Sequence, residues 1–169
     1  MENELPSRKP TRLRYFDYSR PGAYFLTICT KDKRKTLSKI VGDGALDVPK
    51  NVLTKAGRIA EKYILSTNKI KHVSVEKYVI MPNHIHMIIW IHPDEGENGT
   101  SRAPSPTNSA IPHIVATFKR FCNLEFGENL FQRSYHDRII RNQKEYEHIW
   151  NYIELNPARW QYDCFYVAE

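Results

Sequence analysis

Between His72 and Ile91 two strand-length apolar runs meet at Pro82-Asn83, and this predicted hairpin limits how the rest of the chain can be arranged. The first run, His72–Ile80, reads as a strand, and so does the second, His84–Ile91. Alternate strand residues share a face, so Ile85, Met87 and Ile89 point one way and His84 and His86 the other. Upstream, Ala23–Thr30 is β-branched and aromatic and follows the turn signal Pro21-Gly22, which predicts a first strand. Lys31–Lys39 is basic and reads as a loop. Val52–Leu65 places Val52, Leu53, Ala56, Ile59, Ala60, Tyr63 and Ile64 at helical spacing.

Downstream, Ile111–Phe126 is predicted as a helix with Ile114, Val115, Phe118, Phe121 and Cys122 on one face, and Ser134–Ile140 as a short strand. Asn142 can cap a last helix, with Glu145 as its capping-box partner, and that helix runs to about Asn156 and stops at Pro157. The order β-α-β-β-α-β plus a C-terminal helix predicts an α+β, ferredoxin-like split βαβ fold. Its antiparallel sheet carries helices on one face and leaves the other for a ligand or an extra helix. The length of 169 residues suits one domain. Residues 1–11 read as a flexible basic arm and 94–110, polar and rich in Gly, Pro and Ser, as a mobile loop.

Composition removes several classes. No apolar run approaches the ~18 residues of a membrane span. The N-terminus lacks the apolar core of a secretory signal. Three scattered cysteines, Cys29, Cys122 and Cys164, fit neither a disulfide framework nor a CxxC zinc site, so a reduced, cytoplasmic protein is expected. The formal net charge is +6, and residues 1–40 hold ten Lys/Arg against four Asp/Glu while the remainder balances. That excess sits beside Tyr15, Phe16, Tyr18, Tyr24 and Phe25, a mixture suited to a nucleic-acid backbone with unstacked bases, though a solvated basic arm reads the same way.

Two imidazoles side by side on a strand can chelate a divalent ion, and paired surface histidines would give the same pattern. In the last helix Tyr146, Ile149, Trp150 and Ile153 form an apolar stripe, whereas Tyr152 shares another face with His148 and Asn156. That face offers a phenol and, one turn on, a carboxamide oxygen able to ligate a hard cation. A half-buried helix tyrosine is the plain alternative for Tyr152. Together these groups suggest a metal held by His84, His86 and Asn156 that polarises a phosphodiester for attack by Tyr152. Ligand softness leaves the metal open, since imidazole favours Mn²⁺, Co²⁺ or Zn²⁺ over Mg²⁺.

Three ordered blocks, YFDYSRPGAYFLTICTKDKR, YVIMPNHIHMII and FQRSYHDRIIRNQKEYEHIWNYIELNPARW, resemble the REP-associated tyrosine transposases, relatives of the single-tyrosine HUH transposases. The resemblance covers nearly the whole chain. It implies that His84 and His86 are the two histidines of the HUH motif, Tyr152 the nucleophile, and Asn156 the third ligand of Mg²⁺ or Mn²⁺. It implies cleavage of single-stranded DNA at hairpin-forming palindromic repeats through a 5′-phosphotyrosine intermediate, followed by strand transfer. It also implies a bacterial protein that joins the nucleoid when bound to DNA, as a monomer or a homodimer. In that setting Arg12, Arg14, Arg20, Lys31, Arg34, Lys119, Arg120 and Arg141 are the candidate DNA contacts. Two other readings compete: a single-strand binding protein without catalysis on the same fold, and a metallohydrolase using His148 as base, which leaves Tyr152 without a role. The chain lacks an RNP1-like aromatic motif, which counts against an RNA-binding module.

Overall fold

The structure, a computed structural model, describes residues 20–42, 49–93 and 110–168. The expected arm at 1–11 lies outside the described residues, as does the expected loop at 94–110 except for Ala110. The elements are β1 (Gly22–Cys29), β2 (Ser38–Val41), β3 (Lys50–Leu53), α1 (Lys55–Ser66), β4 (Val73–Ile80), β5 (His84–Ile91), α2 (Ala110–Phe126), β6 (His136–Ile140) and α3 (Gln143–Leu155). A 3-10 segment, Pro157–Tyr162, follows α3.

Four strands form one antiparallel sheet in the order β4-β5-β1-β6, the ferredoxin-like arrangement expected from the sequence. Its register joins distant residues. Thr27 of β1 faces His86 on one side and His136 on the other, and Phe25 faces Ile88 and Arg138. β2 and β3 pair with each other as a separate two-stranded ribbon.

Alternation along the strands divides the interior in two. Tyr24, Leu26, Ile28, Ile85, Met87 and Ile89 face α1 and α2, packing with Ile59, Ile64, Ile114 and Phe118. Ala23, Val79, Ile88 and Ile140 face α3, packing with Ile149, Ile153 and Trp160. The last helix therefore covers the sheet face opposite α1 and α2, and it is this face that holds the histidines.

Three local expectations are corrected. The stretch 31–39 is not only a loop, because β2 begins at Ser38. Val52 and Leu53 belong to β3 rather than to a helix, pairing with Lys39 and Ser38. The helix starts after Thr54, whose hydroxyl accepts the Gly57 N–H at 3.2 Å, a cap that fixes the boundary. Gly57 is needed there for contact: a Cβ would stand 2.0 Å from the Leu37 carbonyl oxygen. At α3 the Asn142 side chain accepts the Glu145 N–H at 2.9 Å as expected, but the Glu145 carboxylate reaches back to the N–H of Arg141, also 2.9 Å, one residue before the cap.

Candidate active site on the α3 face of the sheet

β5 begins with His84 directly after the Pro82-Asn83 turn, and the alternation sends His84 and His86 beneath the C-terminal half of α3. Both imidazoles are buried, as is Asn156, while Tyr152 is 37% exposed. The His84 and His86 rings stand 4.4 Å apart. Phe25 of β1 stacks on His86 at 5.2 Å and meets Tyr152 edge-on at 6.1 Å. The 3-10 segment turns the chain back over the site and delivers Asp163, a residue for which the sequence offers no local signal.

Hydrogen bonds assign the protons. The Asn83 amide N–H donates to the Phe165 carbonyl at 2.8 Å, so its oxygen accepts from His84 Nδ1 at 2.9 Å. His84 then presents the lone pair of Nε2, which is buried without a partner. The Asn156 amide donates to Asp163 Oδ2 at 3.0 Å, leaving its Oδ1 buried and without a partner. The Tyr152 phenol donates to the same Asp163 oxygen at 3.2 Å. His86 Nε2 lies 3.1 Å from the phenol oxygen, and Nδ1 lies 2.9 Å from the Thr27 hydroxyl. With the phenol's one proton given to Asp163, His86 Nε2 donates to the phenol oxygen and Nδ1 accepts from Thr27. The Thr27 hydroxyl can also accept, so it can hold the other tautomer when a cation takes Nε2. The second oxygen of Asp163 accepts the Phe165 N–H at 2.7 Å.

The orphaned atoms of His84 and Asn156 are both acceptors, and they stand beside a carboxylate. Such a set lacks a donor or a cation. Ligand atoms of His84, His86 and Asp163 lie within 4.8 Å of one another, which fits one divalent ion with imidazole and oxygen ligands. Burial lowers the His84 pKa to about 4, partly opposed by Asp163, and burial together with His84 holds His86 well below its ordinary value. Both rings are therefore neutral near pH 7: His84 keeps its Nε2 lone pair for a cation, and His86 offers one at Nε2 in the tautomer whose Nδ1 donates to Thr27. Burial, the Asp163 charge and the hydrogen bond to Asp163 all raise the Tyr152 pKa, so the phenol keeps its proton at neutral pH.

The structure thus brings His84, His86, Tyr152 and Asn156 together within one chain, and adds Asp163. It does not gather the candidate DNA contacts. Arg12 and Arg14 lie outside the described residues. Arg20 and Arg141 are exposed at the Gly22 end of the sheet, whereas Lys31 and Arg34 are exposed at the opposite end, near His84. Arg34 pairs with Glu128 at 3.8 Å and donates to the Asn129 carbonyl at 3.2 Å. Arg120 is exposed on α2, on the far side of the sheet. Lys119 serves the fold instead, its ammonium donating to the carbonyls of Gln132, Arg133 and Ser134 at 2.7, 3.2 and 2.8 Å. Those bonds tie the approach to β6 onto α2, and burial lowers the Lys119 pKa to about 8. Among the described residues no helix is long and apolar enough to cross a membrane.

No family model matches the chain. An uncharacterised protein of Haemophilus influenzae is 30% identical over 176 residues, spanning 95% of this chain and 93% of its own. The REP-associated tyrosine transposase of Escherichia coli is 24% identical over 142 residues, spanning 84% of this chain and 70% of its own. A solved structure of a REP-associated tyrosine transposase bound to a REP hairpin is similar in fold, with a TM-score of 0.61 at 20% identity. That similarity covers 92% of this chain and 76% of the other. The chain belongs to one family with the Haemophilus influenzae protein and is a distant homologue of the REP-associated tyrosine transposase.

Proposed function

We propose that the protein is a metal-dependent single-stranded DNA endonuclease and strand transferase, acting on hairpin-forming palindromic repeats. The observation that carries this reading is the contact of the Tyr152 phenol with both His86 and Asp163, beside two buried acceptors that lack a donor. The distant relative is a transposase, and the similar solved protein holds a REP hairpin, which supports the same class of substrate here.

His84, His86 and Asn156, with the Asp163 carboxylate beside them left free to accept a proton, would hold Mg²⁺ or Mn²⁺, which when bound supplies Lewis-acid polarisation of the phosphodiester and stabilises the departing 3′ oxygen. Tyr152 supplies the nucleophile. Its oxygen forms a bond to phosphorus as the bond from phosphorus to the 3′ oxygen breaks, giving a 5′-phosphotyrosine and, after protonation, a free 3′-OH. The phenolic proton leaves toward Asp163 Oδ2, the carboxylate oxygen it already faces at 3.2 Å. Strand transfer is the reverse reaction with a second 3′-OH. Phe25, stacked on His86 and edge-on to Tyr152, restricts the phenol's swing and holds it over the site.

The test uses end-labelled hairpin DNA from repeats flanking the gene, incubated with Mg²⁺ or Mn²⁺ and run on a denaturing gel. A covalent protein–DNA band that requires both metal and Tyr152 is the expected result. Tight binding with no covalent product on several such hairpins would leave a DNA-binding protein and remove the transferase reading.

A further inference from the structure

The two edges of the sheet on the active-site face carry opposite charge. At the β4 edge, the groove between β4 and α3 is lined by Glu76 and Glu147, and Lys77 is engaged by Glu154. At the β6 edge, alternation turns Tyr135 and Ile139 into the core beneath α1 and α2 and Ile140 toward α3. His136 and Arg138 therefore project on the same face as His84 and His86, and both are exposed. Register places them close to the centre of the site: His136 is one strand beyond Thr27, the hydrogen-bond partner of His86, and Arg138 is one strand beyond Phe25.

Arg138 is also pre-set. Its guanidinium pairs with Glu145, the α3 residue that accepts the Arg141 N–H, yet the side chain remains 69% exposed. A guanidinium has five donors in a planar fork, and Glu145 meets one of its nitrogens, so donors remain for a phosphate. Exposed Arg133 and Arg141 flank the strand at its two ends. Lys119, with its three carbonyl bonds, fixes the segment on which Arg133 stands.

Resting on the reading of the protein as a DNA strand transferase, we infer that the strand entering the Tyr152 site crosses the β6 edge. Arg138 and His136 hold its phosphates, and the acidic β4 edge repels it. None of these β6 side chains stands out in the sequence as a nucleic-acid contact, because the basic excess lies at residues 1–40.

Fluorescence anisotropy of a labelled single-stranded oligonucleotide tests this, in a Tyr152→Phe background so that cleavage does not interfere. Affinity is read across a salt series. Arg138→Ala is expected to weaken binding about fivefold and to reduce the salt slope by about 0.7, the value for one phosphate contact on a single strand. Arg138→Lys should recover part of the loss, and His136→Ala should weaken binding while leaving the melting temperature unchanged. Lys77→Ala, at the other edge, should leave both affinity and slope as they are. Unchanged affinity in Arg138→Ala and His136→Ala, or a loss confined to Lys77→Ala, overturns the inference while the function stands. Failure of the background protein itself to bind any single strand counts instead against the proposed function.

Discussion

β5 is one strand with two different surroundings. Its odd residues, Ile85, Met87, Ile89 and Ile91, are buried among the side chains of α1 and α2 and ask nothing further of their neighbours. Its even residues begin with His84 and His86, equally buried, and there packing leaves His84 Nε2 and Asn156 Oδ1 without donors. An unpaired buried acceptor costs about 1–3 kcal/mol, so the α3 face keeps a local disadvantage that the other face lacks. Such a face is stable because the rest of the sheet supports it, and its two open acceptors are the atoms proposed to meet a cation. One face only packs; the other also carries the groups proposed to hold an occupant.

The largest contrast between the two faces is catalytic. Tyr152→Phe should remove covalent adduct and cleavage by more than about 10³-fold, since among the described residues no second phenol meets the site, while DNA binding stays nearly intact. The change removes only an oxygen from a side chain 37% exposed, so the melting temperature should barely move. A gel for cleavage beside an anisotropy titration reads both, and cleavage at full rate would take Tyr152 out of the nucleophile role.

On the packed face the order of effects inverts. Ile89→Ala should destabilise the fold by about 2–5 kcal/mol through lost burial and a cavity, measured by urea unfolding. The folded fraction should still bind Mn²⁺ with unchanged affinity in calorimetry. A weakened site in the folded fraction would mean that the two faces are coupled through the strand.

This division is largely legible in the chain. Alternation in His84–Ile91 separates histidines from aliphatic residues, and the Asn142 cap with the Tyr146–Ile153 stripe defines α3. The β2–β3 ribbon is not, because four-residue strands give too few alternations to stand out, and Val52 and Leu53 also fit the helical rhythm of α1. Asp163 is not legible either. It reaches the site only because Pro157–Tyr162 folds the chain back after α3, a tertiary event with no periodic signature. Lys119 shows the same limit from the other side: a lysine from a basic pair on a helix becomes a clamp for three carbonyls.

The faces should also differ in their response to acid. Well above pH 6.5 His84 is neutral in both the folded and unfolded chain and contributes no pH dependence. As pH falls, the unfolded chain takes up the proton first, because the folded pKa lies at about 4. Metal-free stability should therefore decline between about pH 6.5 and 4, with His84 alone worth about 3 kcal/mol and His86 adding in the same direction. Unfolding by urea at a series of pH values measures it. A flat profile would mean that the imidazoles are not desolvated, and the contrast between the faces would then lose its electrostatic basis.

The smallest change in stability offers the sharpest contrast. His84→Leu exchanges a buried ring with an orphaned nitrogen for an apolar side chain. On the α1–α2 face, any loss of shape in so dense a region is destabilising. On the α3 face the lost Nδ1–H bond to Asn83 and the change of shape act against the gain from removing the orphan, so the net change should stay within about 1 kcal/mol. The variant should lose Mn²⁺ binding and should also reduce the decline in stability between about pH 6.5 and 4 to the part that His86 contributes. Retained fold with lost metal means that His84 is there for the occupant. A loss as large as that of Ile89→Ala would mean instead that His84 serves the fold, and that the two faces of β5 are not divided between structure and chemistry as their residues suggest.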